Sequence, residues 1–276
     1  MELIQAVALG TIQGLTEFLP VSSSGHLVLL QNLFGLKEPE LLFDIAVHVG
    51  TLVAVLLVFF KDLLSIARTL LQSPALIRRS GGFRALYGDN ADIRMVSLIV
   101  MGSIPTALLG VFFQGMIDQL FGTVALVGVM LLVTGGLLWL TRTGISGGRA
   151  LAQMTVKDAL IVGFVQGLAI TPGISRSGST IAVALMLGVG RETAGRYSFL
   201  LSIPAIVGAL VLGLHSSIAR TETPALLMLL GSLTAAAVGY GALKLLLQVV
   251  RQGRLHFFSP YCWLLGLLAL VWGVAF

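Results

Sequence analysis

Apolar residues in this chain run in unbroken stretches, several close to the roughly 20 residues that carry an α-helix across a bilayer. Such stretches leave few folds open. In lipid every backbone amide and carbonyl must be bonded internally, so spans are helices or closed barrels. Barrel strands alternate apolar and polar residues, whereas these runs are continuous. Only 11% of residues are charged, against about a quarter in a soluble domain. The expected fold is an all-α integral membrane protein.

Full spans are expected at about 45–60, 95–115, 120–141, 197–214, 225–248 and 259–276. After the first of these, "KDLLSIARTLLQ" reads as an amphipathic helix: Leu63, Leu64, Ala67, Leu70 and Leu71 share one face, and Lys61, Asp62, Ser65, Arg68 and Gln72 the other. Two regions break the scheme. Residues 2–34 and 157–190 are apolar, but each is interrupted midway by Pro, Gly and Ser.

Those two regions are copies of each other. Gly10 and Gly163, Gln13 and Gln166, Gly14 and Gly167, Leu15 and Leu168, Ser22 and Ser175, Ser24 and Ser177, Gly25 and Gly178, and Gly35 and Gly188 all stand at one offset of 153 residues, with no gap. The net charge is +5, from basic residues spread over the loops between spans. They read as membrane topology rather than as a nucleic-acid patch, so no nucleic-acid partner is expected. Loop 61–94 carries Lys61, Arg68, Arg78, Arg79, Arg84 and Arg94, and loop 142–157 carries Arg142, Arg149 and Lys157, so both belong in the cytoplasm. The 34–44 loop, with Lys37 against Glu38, Glu40 and Asp44, belongs outside.

This topology closes only if each interrupted region enters and leaves by one face. The expected architecture is an interdigitated inverted-topology repeat, two re-entrant helical hairpins plus six transmembrane helices. The first repeat is 1–156 with hairpin 2–34, and the second is 157–276 with hairpin 157–190. Broken helices at matching positions of two inverted halves point to a site at the bilayer midplane.

At each hairpin tip a proline precedes serines and glycine, and a helix follows. The first amides of a helix lack internal partners and carry partial positive charge, so with serine hydroxyls they make an anion site. Ser22, Ser24 and Gly25 supply it in the first hairpin; Ser175, Ser177, Gly178 and Thr180 supply it in the second. Arg176 sits in the second, and its fork suits phosphate oxygens. At membrane depth it needs an anion beside it, either Glu17 or a ligand. Gln13 and Glu17 are one helical turn apart and share a face. Glu17 reads as a metal ligand, a general base or the ion-pair partner of Arg176. His26, beside the serines, reads as a group that activates a hydroxyl or protonates a leaving group. His48, with Thr51 one turn on, is an outer contributor at most. His215, His256 and Asp118 read as loop residues, and the single cysteine, Cys262, as a buried small hydrophobe.

"QGLTEFLPVSSSGH" together with "PGISRSGST" resembles the undecaprenyl-diphosphate phosphatase family of bacterial inner membranes, associated with bacitracin resistance. The resemblance runs from the first hairpin to the last span. It implies removal of the terminal phosphate of undecaprenyl diphosphate, which returns the C55 monophosphate carrier to the synthesis of peptidoglycan and other envelope polymers. It implies a multi-pass protein of the inner membrane with a periplasm-facing site and a divalent cation, Mg²⁺ or Ca²⁺. It leaves a homodimer open. By resemblance Gln13 and Glu17 bind metal, Ser22 and Ser23 are the paired serines, His26 the histidine, and Ser175 and Arg176 the second motif. Many members carry Glu where this chain has Gln13; Gln keeps an oxygen ligand and removes a charge. The mechanism expected has Glu17, Ser23, His26 and Arg176 as catalytic residues, with Ser23 the nucleophile ahead of Ser22 and of water. The competing class is a transporter or flippase of a prenyl phosphate lipid.

Overall fold

A computed structural model describes residues 1–33, 41–116, 123–143, 147–217 and 224–275. These fold into helices: α1 (Leu3–Phe18), α2 (Ser23–Leu33), α3 (Leu41–Val58), α4 (Phe60–Ser80), α5 (Phe83–Asp89), α6 (Ala91–Phe113), α7 (Val124–Leu140), α8 (Val156–Leu168), α9 (Arg176–Met186), α10 (Arg191–Ser217), α11 (Ala225–Arg251) and α12 (Ser259–Ala275).

Among the described residues, four stretches are long and apolar enough to cross a membrane: Ala91–Met116, Arg191–Leu212, Ala225–Arg251 and Leu255–Gly273. The expected span at 45–60 is α3, which meets α4 at a bend of 75°. The amphipathic segment therefore leaves the direction of the span altogether. The expected span at 120–141 is α7, a helix of 17 residues. At 1.5 Å per residue it is about 26 Å long, just under a hydrocarbon core of about 30 Å. Large apolar side chains stand outward on the long helices, among them Leu108, Val111 and Phe112 on α6 and Leu264 and Val271 on α12. Bands of that size on a water-soluble surface would drive association. The chain is a multi-pass membrane protein. Asp118 and the 34–40 loop lie outside the described residues, as does the side chain of His215.

Local signals set the helix ends. Asn90 caps α6 by accepting from the amides of Asp92 and Ile93. Thr155 and Asp158 form a capping box at the start of α8. Arg149 holds both oxygens of Asp158, at 2.8 and 2.9 Å, and the carbonyl of Leu187 at 2.7 Å. One guanidinium thus ties the start of α8 to the end of α9. On α4, Ser65 and Thr69 donate to Asp92, and Asp62 pairs with Arg196 of α10. Those polar groups face the protein, with Ile66 beside them, while Leu71 is 84% exposed.

The strongest helix contacts join the two halves of the chain. α1 packs along α11, α6 along α8, α3 along α11, and α7 along α12. Glycine makes these approaches close. A Cβ at Gly10 would collide with the carbonyl of Gly231, and one at Gly163 with the carbonyl of Gly102. The core is aromatic where α1 meets α10: Phe18 and Phe199 lie 5.9 Å apart between ring centroids, and Phe59 and Phe199 6.1 Å. Cys262 is buried, its thiol donating to the carbonyl of Pro20.

Candidate active site

The two interrupted regions become two helix pairs, α1–α2 and α8–α9, whose tips meet in the interior. At the first tip Ser22 has φ +70°, the only non-glycine residue at positive φ among those described. Such backbone is strained for a residue with a Cβ, and the neighbourhood holds it. The Ser22 hydroxyl accepts from the amides of Gly25 at 3.2 Å and of Gly173, across the site, at 3.1 Å. Its carbonyl accepts from the amide and from Nδ1 of His26. Ser24 stands 3.3 Å from the Ser22 hydroxyl. Gly25 is needed for closeness, since a Cβ there would press on the Ser22 hydroxyl at 3.2 Å.

The second tip repeats the pattern. Ser175 caps α9 by accepting from the amide of Gly178 at 3.1 Å. Gly173 adopts φ +96°, which its missing side chain allows. Thr134 of α7 donates to the carbonyl of Gly173 at 2.9 Å and accepts from the amide of Ser175 at 3.1 Å. The Ser177 hydroxyl donates to the carbonyl of Phe18 at 2.9 Å, so the tips are bonded to each other in both directions. Thr180 donates to the carbonyl of Arg176 at 2.7 Å and pairs with Ser198 of α10. A Cβ at Gly178 would press on Pro20 at 2.9 Å. Ser22, Ser175, Ser177 and Thr180 are thus bonded within the protein, while the Ser23 and Ser24 side chains are partly accessible.

Between the tips lies a compact charged cluster. Glu17 is 7% exposed. One of its oxygens accepts from Arg176 Nη2 at 2.6 Å. The other accepts from the Ser23 hydroxyl at 2.6 Å and from Gln13 Nε2 at 2.9 Å. His48 Nε2 of α3 stands 3.7 Å from that same oxygen. Two polar atoms beside Glu17 are buried without a hydrogen-bond partner: Arg176 Nη1 and Gln13 Oε1. Gln13, Glu17, Ser23 and Arg176, singled out in the sequence, therefore meet at one carboxylate.

His26 does not join that cluster through its ring nitrogens. Nδ1 lies 2.8 Å from the carbonyl of Ser22, and Nε2 2.7 Å from the hydroxyl of Tyr261 on α12. The two rings are parallel within 4°. A carbonyl only accepts, so Nδ1 carries a proton, and Nε2 is held by the tyrosine. Tyr261 and Thr134 carry no motif and sit in apolar runs, so sequence reasoning passed over both. His48 was assigned an outer place, yet it faces Glu17 directly. Among the described residues no three His, Cys, Asp or Glu side chains form a metal-holding group.

Chemically, a serine hydroxyl donating to a carboxylate at 2.6 Å is a nucleophile with a base within reach. A half-engaged guanidinium is an anion receptor. Over 272 residues the chain is 52% identical to an undecaprenyl-diphosphatase of Desulfatibacillum aliphaticivorans, covering 98% of this chain and 99% of that protein. It is 54% identical over 270 residues to the undecaprenyl-diphosphatase of Desulfosudis oleivorans, covering 96% and 97%. It is 40% identical over 277 residues to that of Methanosphaera stadtmanae, covering 99% of each. The family described as bacitracin resistance protein BacA matches residues 6–268, and the chain belongs to that family.

Proposed function

We infer that this chain is an undecaprenyl-diphosphatase, hydrolysing undecaprenyl diphosphate to undecaprenyl phosphate and phosphate within the membrane. The observation that carries the reading is the guanidinium of Arg176: Nη2 is held by Glu17, and Nη1 is buried with no partner. An unpaired N–H at that depth costs several kcal/mol unless an anion meets it. A phosphoryl oxygen of the substrate meets it, and the prenyl tail lies in the bilayer between helices.

The residues divide the work as follows. Ser23 Oγ attacks the terminal phosphorus and its proton passes to Glu17, the carboxylate it already touches. The bond from phosphorus to the bridging oxygen breaks, undecaprenyl phosphate leaves, and a phosphoseryl group forms. Water then attacks that group and restores the serine. Arg176 stabilises charge on the equatorial oxygens. His26 supplies a proton to the leaving side or takes one from water, and Tyr261 holds it in place. Ser22, Ser24, Gly25, Ser175, Ser177, Gly178 and Thr180 build the rigid frame around the phosphate, Ser22 and Ser175 as helix caps.

A divalent cation fits beside Glu17. Gln13 Oε1 is a buried oxygen without a partner there, and hard cations such as Mg²⁺ and Ca²⁺ take oxygen ligands. Gln13 and Glu17 would hold it, and it would offset the charge of the diphosphate.

The finer architecture belongs to the same proposal: two inverted repeats, 1–156 and 157–276, interdigitated in the inner membrane with the site open to the periplasm. Equivalent contacts support it. Gly10 and Gly163, matched in the repeat, each cross a glycine of the other half. Lys61, Arg68, Arg78 and Arg79 on α4 mark the cytoplasmic face. Cysteines placed at 38 and at 80 in a Cys262→Ser background are expected to label from opposite sides; labelling from one side would end the inverted reading.

The deciding measurement for the chemistry is phosphate release by detergent-solubilised protein, with rapid-quench mass spectrometry. Ser23→Ala is expected to stop turnover, and a phosphate adduct to map to Ser23. Ser22→Ala is expected to keep turnover while losing about 1 kcal/mol of stability, as a helix cap does. No adduct, with only a few-fold loss in Ser23→Ala, would pass the attack to water. Lipid binding without phosphate release would favour a transporter or flippase.

A further inference from the structure

We propose that His48 is a ligand of the divalent cation, so that this chain binds its metal through a mixed set of one nitrogen and two oxygen donors: His48 Nε2, the Glu17 carboxylate and Gln13 Oε1. The inference deepens the phosphatase reading and takes from it only the presence of a cation.

Three observations converge. The first is the tautomer of His48. Nδ1 lies 2.7 Å from the carbonyl of Asp44, one turn back on α3, and a carbonyl only accepts. Nδ1 therefore carries a proton, and Nε2 is the nitrogen that turns to Glu17. Metal-ligating histidines are held in this way, the second ring nitrogen donating to a carbonyl or carboxylate.

The second is spacing. Nε2 stands 3.7 Å from Glu17 Oε2. An imidazolium paired with a carboxylate closes to about 2.7–2.9 Å. At 3.7 Å the pair is longer than that contact, which leaves room for both atoms to turn to one cation. Adjacent ligands at about 2.1 Å on one octahedral ion stand about 3.0 Å apart and opposite ones about 4.2 Å, and the observed spacing lies between the two.

The third is Gln13. Its side chain is wholly buried, and Oε1 has no hydrogen-bond partner, although Nε2 of the same amide donates to Glu17 Oε2. Turning the amide over brings Oε1 to the oxygen that His48 faces. His26 is not a rival for the role, because Tyr261 already occupies its Nε2. The donor set is neutral apart from Glu17, so the cation keeps positive charge for the diphosphate. A nitrogen donor also favours Mn²⁺ over Ca²⁺, which binds oxygen almost exclusively.

The test uses detergent-solubilised protein stripped by chelator and loaded with Mn²⁺ alone, and again with Mn²⁺ and pyrophosphate. Pulsed electron paramagnetic resonance is expected to show imidazole nitrogen coupling in the wild type. His48→Ala should lose that coupling and weaken Mn²⁺ binding at least about tenfold. His48→Gln, which returns an oxygen donor at similar size, should lose the coupling, recover part of the affinity and shift preference toward Ca²⁺. Coupling that survives in both variants overturns the proposal, as does a wild type with no coupling or no bound Mn²⁺ in either state; His48 is then the ion-pair partner of Glu17. Phosphate release is assayed in parallel. Intact coupling without release defeats the phosphatase reading and leaves the ligand assignment standing.

Discussion

Tyr261 Oη and His26 Nε2 lie 2.7 Å apart, although 235 residues separate them in the chain. The imidazole is therefore oriented from both ends, by the Ser22 carbonyl within its own hairpin and by α12 from the other end of the chain. Tyr261→Phe keeps the ring and removes the hydrogen bond. We expect kcat to fall about tenfold with KM nearly unchanged, within the range for positioning a proton-transfer group. The ¹⁵N signal of His26 Nε2 should move toward that of a free ring nitrogen in the same variant. A displaced kcat with an unmoved nitrogen signal would make Tyr261 a packing residue only.

Arg176 touches Glu17 with one nitrogen and has another to spare. Lysine can offer its charge to Glu17 or to the phosphate, but not a planar fork to both. Arg176→Lys is expected to lower phosphate release by about 10²–10³, as when a transition-state donor is lost, while the protein still inserts and elutes normally. Near wild-type turnover would remove Arg176 from the site.

Gly163 has no room for a methyl group, because the Gly102 carbonyl occupies that space. Gly208 lies in the open, with nothing near a Cβ built on it. Gly163→Ala should lower the thermal unfolding midpoint in detergent by several degrees, consistent with overpacking of about 1–3 kcal/mol. Gly208→Ala should leave it unchanged or slightly higher, since alanine is the better helix former. Equal effects would mean that α6 and α8 do not approach so closely.

Much of this was legible in the residues. The interruptions at 2–34 and 157–190 broke otherwise continuous apolar runs, and each carries its own capping serine, so the two helix pairs and the turns within them were readable. Glu17 and Arg176 stood out because ionised groups are rare in an apolar chain. The 75° turn between α3 and α4 was harder to read, because no Gly or Pro marks it and α3 runs straight into an amphipathic segment. Tyr261 and Thr134 were invisible for a different reason. Their roles come from what faces them across the interior, and an isolated Tyr or Thr in an apolar run has the same local signature whether it meets lipid or a buried histidine. The nearness of His48 to Glu17 was not legible, because helix spacing relates it to Thr51 and says nothing of a carboxylate on another helix.

The bonds that cross between the hairpin tips, Ser177 to the Phe18 carbonyl and the Gly173 amide to Ser22, bear on how a lipid is handled. Alternating access needs the two halves of a repeat to swing past each other at the midplane. In this protein the two tips are bonded, and any movement that parts them would have to break both bonds together with the Arg176–Glu17 pair. A site braced in this way keeps its polar groups at one fixed spot and resists movement of one tip past the other.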